Sequence, residues 1–248
     1  MEEQLWNACS NGEVEEVIKL LQNSQININW QDSQYSSTPF YVACENGHIE
    51  VMKILLNDER VDMNKPTVGG WTPFHIACFE GCSEIVKLLL NDERVDNINK
   101  ADINSRTPFW IACEKGHIEI VKLLLNDKRT DINKTNKYEE TPFYHACENE
   151  YIDLAKLLLN DERLDVNKGN FEGRTPLHYV CRYYHFEIVQ FILGMRRDVN
   201  LNAKDDNGKL PIDLAREKLK KEKMNWESEE EFQERKINCA KIIELLES

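Results

Sequence analysis

Thr107-Pro108-Phe109-Trp110-Ile111-Ala112-Cys113, followed by Gly116-His117-Ile118-Glu119-Ile120-Val121-Lys122-Leu123-Leu124-Leu125, is the stretch on which the reading of this chain turns. Proline fits the first turn of a helix, where its missing N–H has no partner to lose. The threonine before it can cap that helix through its hydroxyl. Phe109, Ala112 and Cys113 then give a short helix with one bulky anchor and a small face. Gly116 and His117 break the helix and turn the chain back. Ile118, Val121, Leu124 and Leu125 fall at helical spacing, so a second helix is expected to bury one stripe. Neither helix is long enough to stand alone in water, and stability has to come from stacking against neighbours.

The neighbours are in the sequence. The same phrase recurs at Thr38-Pro39, Thr72-Pro73, Thr141-Pro142 and Thr175-Pro176, with a worn copy at Leu210-Pro211. Successive prolines at 39, 73, 108, 142, 176 and 211 are separated by 34, 35, 34, 34 and 35 residues. A period of this length marks a stacked repeat array. The motifs resemble the ankyrin repeat: its Thr-Pro-Leu-His tetrapeptide is complete at Thr175-Pro176-Leu177-His178 and nearly so at Thr72-Pro73-Phe74-His75. Its second-helix opening is echoed at Gly47-His48-Ile49-Glu50 and Gly116-His117-Ile118-Glu119. The resemblance implies an all-α ankyrin-repeat solenoid of about seven helix–turn–helix units with β-turn fingers. It also implies a role in binding proteins, through a concave surface made of finger tips and first helices. His75 and His178 match the tetrapeptide histidine, which in the family ties one finger to the next.

Three segments are expected: an N-terminal capping repeat over 1–30, where Gln4 stands in the proline slot, five internal repeats over 31–204, and a C-terminal capping repeat over 205–248. The last carries an insertion, Arg216 to Lys236, rich in Lys and Glu, which reads as a polar helical hairpin with Trp226 folded back on the cap. Cys239 to Leu246 supplies the delayed second helix. Each internal second helix ends in an Asn-Asp phrase, as in Asn57-Asp58-Glu59-Arg60, where the family uses glycine. Asparagine in the left-handed conformation is expected to stop the helix there, with the acid–arginine pairs as weak surface salt bridges. The glycine before the second helix is lost at Glu150 and again at Tyr184.

Net charge is −13, which disfavours nucleic acid and anionic membranes and favours a basic partner. No apolar run approaches the ~20 residues of a membrane span, and the start, Met1-Glu2-Glu3-Gln4, has no secretory leader. The expected setting is the cytoplasm, with the nucleus left open, and the expected state is a monomer. Of eight cysteines, Cys9, Cys44, Cys78, Cys113, Cys147 and Cys181 share one repeat position and read as core residues. Cys82 is off-pattern, a candidate reactive thiol. There is no phosphate loop, nucleophile elbow or paired-histidine metal motif, so no catalytic, cofactor or metal residue is assigned. The histidines, His145 included, sit at or near repeat positions and read as architecture. Residues that refuse to repeat are the candidates for recognition: Tyr35, Trp71, Arg106, Tyr138, Glu140, Phe171 and Arg174 in the turns before each proline, and Tyr183 in the divergent sixth repeat. Tyr, Trp and Arg dominate binding energy at interfaces. The expected function is a non-enzymatic scaffold or adaptor. The alternatives are a regulatory subunit that masks an enzyme or transcription factor and, ranked lower, a thiol sensor.

Overall fold

The computed structural model describes residues 1–95, 97–195 and 198–247. Fourteen helices and no strand occur among the described residues. They alternate as first and second helices, two per repeat. The chain divides into two compact units, Met1–Asp131 and Ile132–Ser248.

In the N-terminal unit the first helices are α1 (Glu2–Asn11), α3 (Pro39–Glu45), α5 (Pro73–Phe79) and α7 (Pro108–Glu114). The second helices are α2 (Val14–Leu21), α4 (Ile49–Leu56), α6 (Ser83–Leu90) and α8 (Ile118–Asn126). First helices pack on first helices, and each second helix packs on its own partner and on the second helix beside it. The threonine–proline start works as the sequence requires: Thr38 and Thr107 Oγ1 accept from the Tyr41 and Trp110 amides at 3.1 Å each. The buried stripe of α8 is Ile120, Val121 and Leu124, while Ile118 and Leu125 are only half-buried. Of the expected stripe, Val121 and Leu124 are fully buried, and Ile120 takes the place expected of Ile118 and Leu125.

The tetrapeptide histidine couples repeats. His75 Nδ1 accepts from the Thr72 amide at 3.1 Å and lies 2.8 Å from its hydroxyl, so Nε2 carries the proton donated to the Arg106 carbonyl at 3.3 Å. Burial pushes its pKa down to about 4. His75 is therefore neutral when folded, whereas an unfolded chain protonates it below about pH 6.5. Its contribution to stability is complete above pH 6.5 and is lost as pH falls through 4, by at most about 3 kcal/mol. Urea unfolding at pH 7 and at pH 4.5 should show the loss, and His75→Gln should flatten it over that window. An unchanged slope in the variant would place its origin elsewhere.

The helix-closing phrase departs from the sequence expectation. Asn57 and Asn91 keep right-handed φ values of −78° and −87°, so no left-handed asparagine stops these helices. The arginine does the work instead. Arg60, Arg94 and Arg129 are each held by the aspartate two residues earlier at 2.6–2.7 Å. Each then donates Nη2 to the last carbonyl of the preceding repeat's second helix: to Leu21 at 3.3 Å, Leu56 at 2.7 Å and Leu90 at 2.9 Å. Those carbonyls have no intrahelical partner, and each charged bond contributes about 1 kcal/mol. Beside this row runs a second one: Asn29, Asn64 and Asn99 donate Nδ2 to the Arg60, Arg94 and Arg129 carbonyls at 2.6–2.7 Å. The ion pairs themselves are half-exposed and weak, as expected. Their value lies in aiming the guanidinium at the next repeat.

The C-terminal unit repeats the scheme with α9 (Pro142–Glu148), α10 (Ile152–Leu159), α11 (Pro176–Arg182), α12 (Phe186–Met195), α13 (Pro211–Lys220) and α14 (Glu229–Glu247). His178 is pushed down by burial and reaches the Lys209 carbonyl at 3.0 Å. Asn160 also stays right-handed at φ −76°. Glu150 and Tyr184, which replace the usual glycine, take left-handed φ of 53° and 55°, so the turn survives with strain. Glu139 at the tip of its finger has φ 61° and is exposed. Glu139→Gly should therefore raise stability by about 0.5 kcal/mol, the relieved strain exceeding the extra freedom of the unfolded chain. A lowered denaturant midpoint would contradict this. The inserted segment lengthens α13 to Lys220, adds a loop over 221–228 and extends α14 to 19 residues, so the elongated polar hairpin is the last helix pair itself. Trp226 does not fold back; it is 74 % exposed on that loop.

Candidate recognition surface

Each finger is a tight turn built on one side chain. Asp102 Oδ1 accepts from the Asn104 and Arg106 amides at 2.8 and 2.9 Å. Asn136, Asn170 and Asp205 do the same in the C-terminal unit. Such Asx turns satisfy the tip amides locally, so the tip side chains owe nothing to the fold and point outward. Adjacent tips are joined by one backbone bond each: Val68 to the Tyr35 carbonyl at 3.0 Å and Ile103 to Gly69 at 3.2 Å, then Phe171 to Tyr138 at 3.2 Å and Asp206 to Glu172 at 3.0 Å.

In the N-terminal unit the exposed apolar tips are Tyr35, Val68 and Ile103, the last 73 % exposed. Of these, only Tyr35 was singled out from the sequence. Trp71 and Arg106 come together, but below the tip. Trp71 is half-buried, donates Nε1 to Asp102 Oδ2 at 3.1 Å and meets Phe79 edge-on at 5.2 Å. Arg106 binds the same fully buried carboxylate at 2.9 Å, reaches Glu114 at 3.2 Å, and lies over the Trp71 and Trp110 rings. Both residues hold the finger against the first helices, so Trp71, named from the sequence as a recognition candidate, serves the fold. The first-helix ends beside this cluster are acidic. Burial raises the Glu45 pKa, with Glu80 and Asp32 adding repulsion.

In the C-terminal unit Tyr138 and Phe171 are exposed and in ring contact, with centroids 6.3 Å apart. Glu140 sits further in, accepting from Asn136 Nδ2 at 2.9 Å, and burial raises its pKa. Arg174 pairs with Glu172, and its Nε faces the buried Asp205 carboxylate at 3.5 Å, too far for a hydrogen bond. Tyr183 is the outer member of a stack: Tyr144 meets Tyr179 edge-on at 5.6 Å, and Tyr179 lies flat on Tyr183 at 4.4 Å.

The six cysteines at the shared repeat position are buried, all eight thiols are free, and no group of three or more metal-ligating side chains occurs among the described residues. Cys82 occupies the place of His48 and His117 before a second helix. Those two histidines reach back to the Ser10 and Phe79 carbonyls at 2.9 Å, and the short thiol side chain cannot span that distance. Burial and then Glu80 push its pKa up, the opposite of what a reactive thiolate needs. No described helix is long and apolar enough to cross a membrane.

Two family models match. One described as "Ankyrin repeats (3 copies)" covers residues 5–102 and 91–170, and one described as "Ankyrin repeats (many copies)" covers 157–215. No curated protein matches the chain. Among solved structures it is similar to the ankyrin repeat domain of Bcl-3, a member of the IkappaB protein family, at 18% identity and a TM-score of 0.80 over 99% of this chain and 98% of that one. At that identity the likeness shows the fold, and the family models show the rest: this chain belongs to the ankyrin-repeat family.

Proposed function

We propose that the chain is a non-enzymatic protein-interaction scaffold or adaptor whose contacts are made by the exposed finger tips and the adjoining first-helix faces. The observation that carries this reading is the set of apolar side chains at turns that do not need them. Tyr35 and Ile103 in one unit, and Tyr138 and Phe171 in the other, are exposed on Asx-type turns whose amides are already satisfied, and Val68 is exposed on a turn held by Thr67. Rigid side chains in such places supply contact area at low entropic cost. The acidic first-helix ends, where Glu45 is already raised by burial and by its neighbours Glu80 and Asp32, favour a basic segment on the partner facing the N-terminal unit. The setting we propose is intracellular, where eight reduced thiols persist.

The test separates binding from folding. Tyr35→Ser with Ile103→Ser, and Tyr138→Ser with Phe171→Ser, should leave the circular-dichroism melt nearly unchanged and weaken capture of partners from native cell extract by at least about tenfold, or about 1.4 kcal/mol. Trp71→Ala should instead lower the melting midpoint. Tip variants that melt normally and still capture every partner would sink the reading.

A further inference from the structure

The C-terminal unit carries a positive patch on a chain of strongly negative net charge. Arg182 ends α11 and is followed by Tyr183, while Lys218 lies on α13 and Lys221 caps its end. These two helices are neighbours. The Arg182 guanidinium stands 5.8 Å and the Lys218 amine 5.5 Å from the centre of the Tyr183 ring. Three acids of the surrounding elements have other partners: Glu227 is bound to Arg235, Glu217 to Lys209, and Glu148 lies 3.5 Å from His145. None of Arg182, Lys218 and Lys221 has a carboxylate within ion-pair distance among the described residues.

Arg182 and Lys218 are half-buried, so the free protein holds two partly desolvated cations beside a third without a counter-charge. That arrangement costs energy until an anion arrives. Burial, followed by repulsion from Lys221, Arg182 and Arg235, lowers the Lys218 pKa, which agrees with the geometry. Arg182 and Lys218 lie over the exposed Tyr183 ring, whose stack on Tyr179 fixes it in place. A flat aromatic between fixed positive charges fits a carboxylate-bearing chain that also has an apolar side chain to lay on the ring.

We propose that Arg182 and Lys218 at Tyr183, together with Lys221 beside Lys218, form a binding site for an acidic peptide segment of a protein partner. A net charge of −13 repels an extended polyanion such as nucleic acid. A short acidic segment meets only the local cluster, since charges beyond about 8–10 Å are screened at physiological salt. The site is separate from the finger tips and takes the opposite charge from that favoured by the N-terminal unit.

The full chain should be titrated against a fluorescein-labelled polyglutamate peptide, followed by anisotropy at physiological ionic strength, with a labelled oligothymidylate of equal charge as comparison. Polyglutamate should bind in preference. Arg182→Gln with Lys218→Gln should weaken it about tenfold or more, and so should Lys221→Glu, while Lys19→Gln in the other unit should not. Circular-dichroism melts should be unaltered, and Lys221, being exposed, allows the test even if the double variant folds poorly. Absence of peptide binding overturns the proposal, as does binding that survives Lys221→Glu. Preferential capture of oligothymidylate, lost in the same variants, also overturns it and assigns the patch to nucleic acid.

Discussion

Leu124→Ala is expected to destabilise the protein by about 2–5 kcal/mol, the usual cost of a cavity left by a buried leucine. Leu124 is 1 % exposed, on the face of α8 that packs against α7 of its own repeat and α6 of the repeat before. Leu55 and Leu89 hold the same place in α4 and α6 and are equally buried. In a stacked array each repeat is stable only through its neighbours. A cavity at this depth therefore weakens both the helix pair and its junction with the preceding repeat. The midpoint of denaturant unfolding should fall sharply. The half-buried Leu125 provides the control, since Leu125→Ala removes the same atoms from a site that water already reaches and should cost clearly less. Equal losses for the two, or a loss of a few tenths at Leu124, would mean that the helix is rotated from the position described.

The repeat was legible because it is written six times in small, unambiguous signals. Threonine, proline and the helical spacing of leucines each reflect a local physical demand, and period alone sets their order. What periodicity cannot say is which way a turn residue points, since a turn has no repeating face. Trp71 stands directly before Thr72-Pro73 and Ile103 four residues before Thr107-Pro108; the first packs under the finger and the second stands in solvent. The difference is the buried Asp102 carboxylate, to which the indole donates, and no local pattern announces that bond. The arginine rows were visible in the sequence but were read as surface salt bridges. Their bonds to Leu21, Leu56 and Leu90 run between positions 38 or 39 residues apart, and only the stacked structure brings them together. Asparagine followed by aspartate looked like a helix stop, whereas the helix ends right-handed and its open carbonyls are filled from the next repeat.

Arg235 was the least legible residue of all, because it lies in a run of lysines and glutamates that reads as solvated charge. Its side chain is fully buried. Nε donates to Glu227 Oε1 at 2.7 Å and Nη2 to Oε2 at 2.8 Å, so the carboxylate is gripped on both oxygens. Nη1 donates to the Lys218 carbonyl at 2.7 Å and Nη2 reaches the Glu222 carbonyl at 3.3 Å. One side chain thus closes the C-terminal end of α13, fixes the 221–228 loop and joins both to α14. It also reaches the Lys221 carbonyl at 3.4 Å on that loop. Arg235→Leu should cost about 3–5 kcal/mol, because it leaves Glu227 buried without its charge partner and the α13 carbonyls without a donor. Adding Glu227→Leu should recover part of the loss, since a buried ion pair replaced whole is far less costly than one broken. Arginine beside it holds the Glu227 carboxyl down to about 2. The pair's contribution is therefore complete above the ordinary carboxylate pKa near 4.5 and is lost only as pH falls through about 2. The loss in Arg235→Leu should be localised, with faster hydrogen exchange in α13 and α14 and new proteolytic cleavage among Lys220, Lys221 and Lys223, while α9 and α10 keep their protection. If the variant exchanges no faster in α13 than the wild type, or if the double variant is worse than the single, the guanidinium is not what binds the last repeat together.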